Sequence, residues 1–163
     1  MLTREPRFPG AVMVSLLIAV ILTIIPLNEQ MSLWRPEWIA LTLVHWALVI
    51  RDKISLVMAF VIGLIIDVLF DPMIGQHTVG YVLVTYLAVR LGLRMNPEAF
   101  LQQTALLIAV LVLYLITGLL IQGATNTHAG GWLYWATLLS SIIVWPFYHG
   151  LLGYFHIQRK ALG

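Results

Sequence analysis

The sequence predicts an all-α polytopic membrane protein of six transmembrane helices with both termini cytoplasmic. Three observations carry that prediction. The 163 residues are 61% hydrophobic and only 10% charged, and the mean hydropathy is +0.94. A soluble domain of this size needs more polar surface than that balance supplies. The apolar residues fall into six runs separated by short polar turns, most of which approach the ~20 residues that cross a ~30 Å hydrocarbon core. The nine Lys and Arg residues also sort by side. With six spans Arg4, Arg7, Arg51, Lys53, Arg90, Arg94, Arg159 and Lys160 share the side of the N-terminus and Arg35 alone lies opposite, a positive-inside pattern.

In chain order the expected spans are 11–27, 36–50, 54–70, 78–93, 101–121 and 134–155, within a single integral-membrane domain covering 1–163. Arg4, Arg7 and an apolar run resemble a signal peptide, but no small-x-small site follows and Pro26 stands where one is needed, so the run reads as the first span. Asn28-Glu29-Gln30 makes an outer turn. Pro36 opens the second span, at a position where its missing N–H costs nothing. Arg51-Asp52-Lys53 is a tight charged turn, Asp71-Pro72 and Gly75 end the third span, and Pro97 precedes the fifth. Residues 123–131 form a flexible loop before the last span. Trp34, Trp38, Trp132, Tyr134 and Trp135 are expected at the outer interface, as aromatic belts are.

The third span carries the most informative stretch, Gly63-Leu-Ile-Ile-Asp67. A carboxylate at membrane depth costs roughly 2.5–3.5 kcal/mol on insertion scales and is retained for a pairing or a function. Ser55, Ala59, Gly63 and Asp67 recur every fourth residue, a small-residue face that lets a neighbouring helix approach. Asp67 lies about one turn from the outer end, where it snorkels, caps a kink or pairs with a cation. Arg35 is the strong cation at matching depth, His77 a weaker one, and the expectation is an Asp67–Arg35 pair. In the last span Pro146 removes a backbone donor and predicts a kink, and Trp145, Phe147, Tyr148 and His149 beside it suggest a partner-facing surface.

Catalysis, cofactors and metals find no constellation. Cysteine is absent, which removes thiolate ligands, nucleophiles and disulfides. His149 and His156 stand about 10 Å apart along a helix, too far to share one ion, and His45 reads as a buried hydrogen-bonding group. An aspartic dyad needs two carboxylates roughly 3 Å apart from different segments, whereas Asp67 and Asp71 share one. Ser140, Ser141 and His149 lie on one helix and supply no Ser–His pair. No basic patch suggests nucleic acid.

Several stretches taken together resemble the MreD family of rod-shape-determining membrane proteins. Arg35-Pro36-Glu37-Trp38, followed by an apolar helix with Trp46, is similar to that family's R-P-x-W segment. Gly63-x-x-x-Asp67 with Gly75 and Tyr86 resembles its central signature, and Trp145-Pro146 its late W-P pair. The resemblance covers nearly the whole chain. It implies a fold similar to the substrate-binding subunits of energy-coupling-factor transporters. It also implies a non-catalytic inner-membrane scaffold for cell elongation and peptidoglycan synthesis. The implied partners are MreC directly, with MreB, RodA and a class B penicillin-binding transpeptidase in a larger complex. Arg35, Pro36, Trp38, Gly63, Asp67, Gly75, Tyr86, Trp145 and Pro146 are the positions carried over, shaping a surface for MreC's transmembrane or outer juxtamembrane segment. The competing expectation is a small-solute-capturing subunit of an ATP-driven transporter, for which the spans offer few convergent polar groups.

Overall fold

The computed structural model describes residues 9–50, 56–70, 75–96, 99–124 and 131–161, and these are helical with no strand among them. Six long helices occupy the six apolar runs: α1 (Pro9–Ile24), α3 (Trp38–Ile50), α4 (Leu56–Phe70), α5 (Gln76–Gly92), α6 (Phe100–Ala124) and α7 (Ala136–Ala161). A short helix, α2 (Glu29–Leu33), stands where a simple turn was expected, and a 3-10 turn (Trp132–Trp135) leads into α7. The Asn28 side chain forms α2 by accepting from the Met31 N–H at 2.9 Å, which satisfies one of the donors a helix start leaves open. By length and composition α6 and the stretch Trp132–Tyr154 suffice to cross a membrane, and α1 and α4 are apolar but shorter. The predicted turns at 51–53 and 71–72, Ser55, and the side chains of Arg4, Arg7, Arg159 and Lys160 lie outside the described residues.

The helix that sequence periodicity could not orient is the centre of the bundle. Every residue of α3 from Ile39 to Ala47 is buried, against α5, α1, α7 and α6. A helix apolar on all sides is either lipid-facing or a core element, and here it is core. Its few polar groups find partners in the interior. The Trp46 indole donates to Ser15 Oγ on α1 at 2.8 Å, Thr42 Oγ1 lies 2.7 Å from the Tyr148 hydroxyl on α7, and His45 Nδ1 lies 3.0 Å from His149 Nδ1. His45 is therefore the buried hydrogen-bonding group expected of it. The start of α3 is tied to α7 as well, because the Glu37 N–H donates to Ser141 Oγ at 3.0 Å.

The α4–α5 pair forms the most extensive helix contact in the bundle. Ala59, Gly63 and Asp67 are buried along it, as the small-residue spacing predicts. The backbones come close at Gly63, where a β-carbon would stand 2.4 Å from Thr78 Cα. The outer sides of α1, α4 and α7 present apolar residues to the surroundings.

The cluster expected beside Pro146 does not form one surface. Trp145 is fully buried, Tyr148 faces the core and Phe147 is 78% exposed. The helical repeat sends neighbouring residues to different sides, so only Phe147 and the exposed Pro146 face outward. The helix continues through Pro146 to Ala161. The aromatic belt is divided in the same way: Trp34 and Trp132 are exposed, whereas Trp38 packs against Tyr148 and Tyr134 turns inward.

A polar chamber at one end of the bundle

The end of α4 and the starts of α3, α5 and α7 meet at one end of the bundle, and Asp67 organises that corner. Its side chain is fully buried, so its charge must be met from within the protein. Asp67 Oδ2 accepts from the Gly75 N–H at 2.8 Å, the Thr78 N–H at 3.1 Å and Thr78 Oγ1 at 2.5 Å. Oδ1 accepts from the His77 N–H at 2.8 Å and lies 3.0 Å from His77 Nδ1. The carboxylate thus caps the start of α5 from the preceding helix. It supplies acceptors to N–H groups that have no intrahelical partner and places negative charge at the positive end of the helix dipole.

The expected Asp67–Arg35 pair is not what forms. Arg35 instead donates through its two terminal nitrogens to the carbonyls of Thr23 and Ile25, the latter at 2.5 Å. These carbonyls belong to the C-terminal end of α1, where orphan acceptors and the negative end of the dipole favour a cation. Each charge meets a helix terminus, and of the two candidate cations it is His77, the weaker, that contacts Asp67. Since an ionised carboxylate only accepts, His77 Nδ1 is the donor, and Nε2 is left for other contacts.

Gly75 makes this cap possible. Its φ of 121° lies where L side chains strain, and its N–H is one of the donors to Asp67. Gly75→Ala is expected to cost about 1–2 kcal/mol through backbone strain alone, since no atom lies near enough to clash with the added methyl. Thermal unfolding of the purified variant in detergent checks this.

Above the capped corner lie two adjoining cavities of about 200 and 120 Å³. Thr23, Ser32, Arg35, Pro36, Tyr81 and Phe70 help to line the larger, and Gln76, Tyr114, Gly118 and Tyr134 the smaller. Glu37, His77 and Thr137 border both. The chamber's lining comes from five of the six long helices, and its polar groups from four of them, α1, α5, α6 and α7, together with the segments that precede α3 and α7. Tyr81 and Tyr114 stack with ring centroids 5.5 Å apart and planes within 4° of parallel. Glu37 is half-buried at the centre, facing the Tyr81 and Tyr114 hydroxyls, with Arg35 and His77 close enough to act on it through space. Tyr134 donates to the Leu115 carbonyl at 3.1 Å, which fixes its ring as one wall.

Of the residues singled out by sequence, Arg35, Pro36, Asp67 and Gly75 converge here, the first two on the cavity wall and the last two in its foundation. Gly63 supports the corner from below through its contact with Thr78. Trp38 packs on Tyr148. Trp145 is buried in the core, whereas Tyr86 and Pro146 are exposed on helix surfaces, away from the chamber. Sequence reasoning missed Glu37, Gln76, Tyr81, Tyr114, Tyr134 and Thr137. The available signal was depth: on the six-span reading all but Tyr114 fall at or near the outer end of a span, and Tyr114 lies about two turns in. Among the described residues no three His, Cys, Asp or Glu side chains gather as metal ligands. The chamber offers hydroxyls, an amide, an imidazole, a guanidinium and one carboxylate, a set suited to binding polar groups.

The family model described as rod shape-determining protein MreD matches residues 7–155. The chain belongs to the MreD family. The rod shape-determining protein MreD of Haemophilus influenzae is 24% identical over 147 residues, covering 88% of this chain and 88% of that protein. No solved structure matches the chain. The MreD family is a membrane protein family with a role in determining rod shape, and the apolar helices described above agree with that setting.

Proposed function

We propose that this chain is a non-catalytic inner-membrane scaffold of the bacterial elongation machinery, and that its polar chamber receives MreC. In this reading all six long helices cross the membrane with both termini cytoplasmic, so the chamber opens toward the outer face. Family membership supports the role in cell shape. The observation that carries the binding role is the chamber itself. It is built from five helices, bordered by a half-buried carboxylate and held by a fully buried carboxylate that caps α5. Holding such polar groups at the end of an apolar bundle is costly unless something occupies or hydrates them. A juxtamembrane segment of a bitopic partner reaches that depth. MreB, RodA and a class B transpeptidase join through the larger complex.

The test is affinity purification of the tagged chain from its native membrane in mild detergent, with mass spectrometry of the recovered proteins. MreC and wall-synthesis enzymes are the expected companions. Recovery of an ATPase module with its coupling membrane subunit, and no wall enzymes, would overturn the scaffold reading in favour of solute capture.

A further inference from the structure

We infer that Glu37 and the surrounding tyrosines form a receptor for a cationic side chain, a lysine or arginine of the docking partner. The inference rests on the reading of the chamber as MreC's docking place and adds the chemistry of recognition. Of the chamber's charged groups, Asp67 is saturated by five contacts and Arg35 is committed to the α1 carbonyls. His77 commits Nδ1 to Asp67. Among the described residues no cation stands within ion-pair distance of the Glu37 carboxylate, although Arg35 and His77 act on it from farther away. Its main-chain N–H is used on Ser141, and the side chain faces the cavities.

A second, independent feature is the aromatic wall. Tyr81 and Tyr114 bring their hydroxyls toward the carboxylate while their rings stack on each other, and Tyr134 lines the neighbouring cavity wall. The Tyr81 hydroxyl is wholly buried and directed toward Glu37 and Tyr114, and among the described residues it finds no hydrogen-bond partner of normal geometry. A carboxylate flanked by tyrosine hydroxyls is an arrangement that binds ammonium and guanidinium groups by charge-assisted hydrogen bonds. An anionic or purely apolar guest would leave the half-buried Glu37 carboxylate uncompensated. The cavity of about 120 Å³ beside Tyr114 and Tyr134 has room for such a head group and ordered water.

The experiment measures binding of full-length MreC to the full-length chain, both purified in mild detergent, for wild type and two variants. Glu37→Gln keeps the shape and removes the charge, and Thr137→Trp fills the place shared by both cavities. The expected result is a loss of roughly thirtyfold or more in affinity for Glu37→Gln, with thermal stability unchanged and a weaker dependence on salt. One basic residue just outside MreC's transmembrane helix, replaced by Gln, should produce the same loss and no further loss when combined with Glu37→Gln. Unchanged binding by Glu37→Gln alongside lost binding by Thr137→Trp would overturn the inference and leave the docking reading standing. If both variants bind normally, the docking reading falls and takes the inference with it. A loss that couples to no MreC residue and follows the phosphatidylethanolamine content of the micelles would assign the ammonium to lipid, and would also overturn the inference.

Discussion

Asp67→Ala lowers the stability of the folded bundle by roughly 3 kcal/mol or more, the largest single-residue effect expected outside the hydrophobic core. The substitution strands the N–H groups of Gly75, His77 and Thr78 together with the Thr78 hydroxyl, all of which donate to the carboxylate. Each unsatisfied buried donor costs about 1–3 kcal/mol, and the cap contributes through the dipole as well. Asp67→Asn should fall between wild type and alanine, because the amide keeps one acceptor but turns an NH₂ toward N–H groups. Thermal unfolding in detergent reads the order. A double-mutant cycle with Arg35→Gln separates the two accounts of Asp67. Additive losses follow from two independent helix caps, whereas strong coupling would restore a direct ion pair.

Gly63→Ala is the second large effect, and it acts on the same corner by a different route. The added methyl would lie 2.4 Å from Thr78 Cα and 2.8 Å from its nitrogen. Both are backbone atoms at the start of α5, so no side-chain rotation relieves the overlap. Overpacking of this kind costs about 1–3 kcal/mol and sometimes more, and the upper end is expected here. The separation of α4 from α5 should also lengthen the Asp67–Thr78 contacts, so the loss in the Gly63→Ala, Asp67→Asn double variant should be less than the sum. Gly123→Ala provides the control. It lies in the last turn of α6 with open space around it, and alanine there should be neutral or stabilising by up to about 1 kcal/mol.

The sequence made the helix inventory legible, because apolar runs punctuated by Pro, Gly and charge leave few ways to divide the chain. It also marked the α4 face, since small residues every fourth position and one carboxylate have few other uses in an apolar segment. The partners of Asp67 were hidden for a physical reason. A search by residue type looks for a cation, but the groups that meet this carboxylate are mainly backbone N–H donors, which every non-proline residue carries. Gly75 was the visible trace of that cap, and it reads as a mere helix breaker until its donor is seen to point at Asp67. Arg35 was hidden in the same way by the carbonyls of α1. The central position of α3 was not legible either, because an apolar helix wrapped by protein and one wrapped by lipid have the same composition. Glu37 stood within the Arg35–Trp38 stretch but looked like an ordinary polar residue at a helix start. Its importance comes from Tyr81 and Tyr114, which lie 44 and 77 positions further along the chain and meet it only in the folded bundle.

The most direct test of the central claim is site-specific cross-linking, which the absence of native cysteine makes straightforward. A single Thr137→Cys at the chamber and a single Leu101→Cys at the opposite end of the bundle are labelled with a thiol-reactive benzophenone in membranes containing MreC. The account predicts a photo-cross-link from position 137 to MreC residues just outside its transmembrane helix, and none from position 101 to that segment. A silent position 137, with MreC captured from the opposite end alone, would contradict the chamber as the docking place.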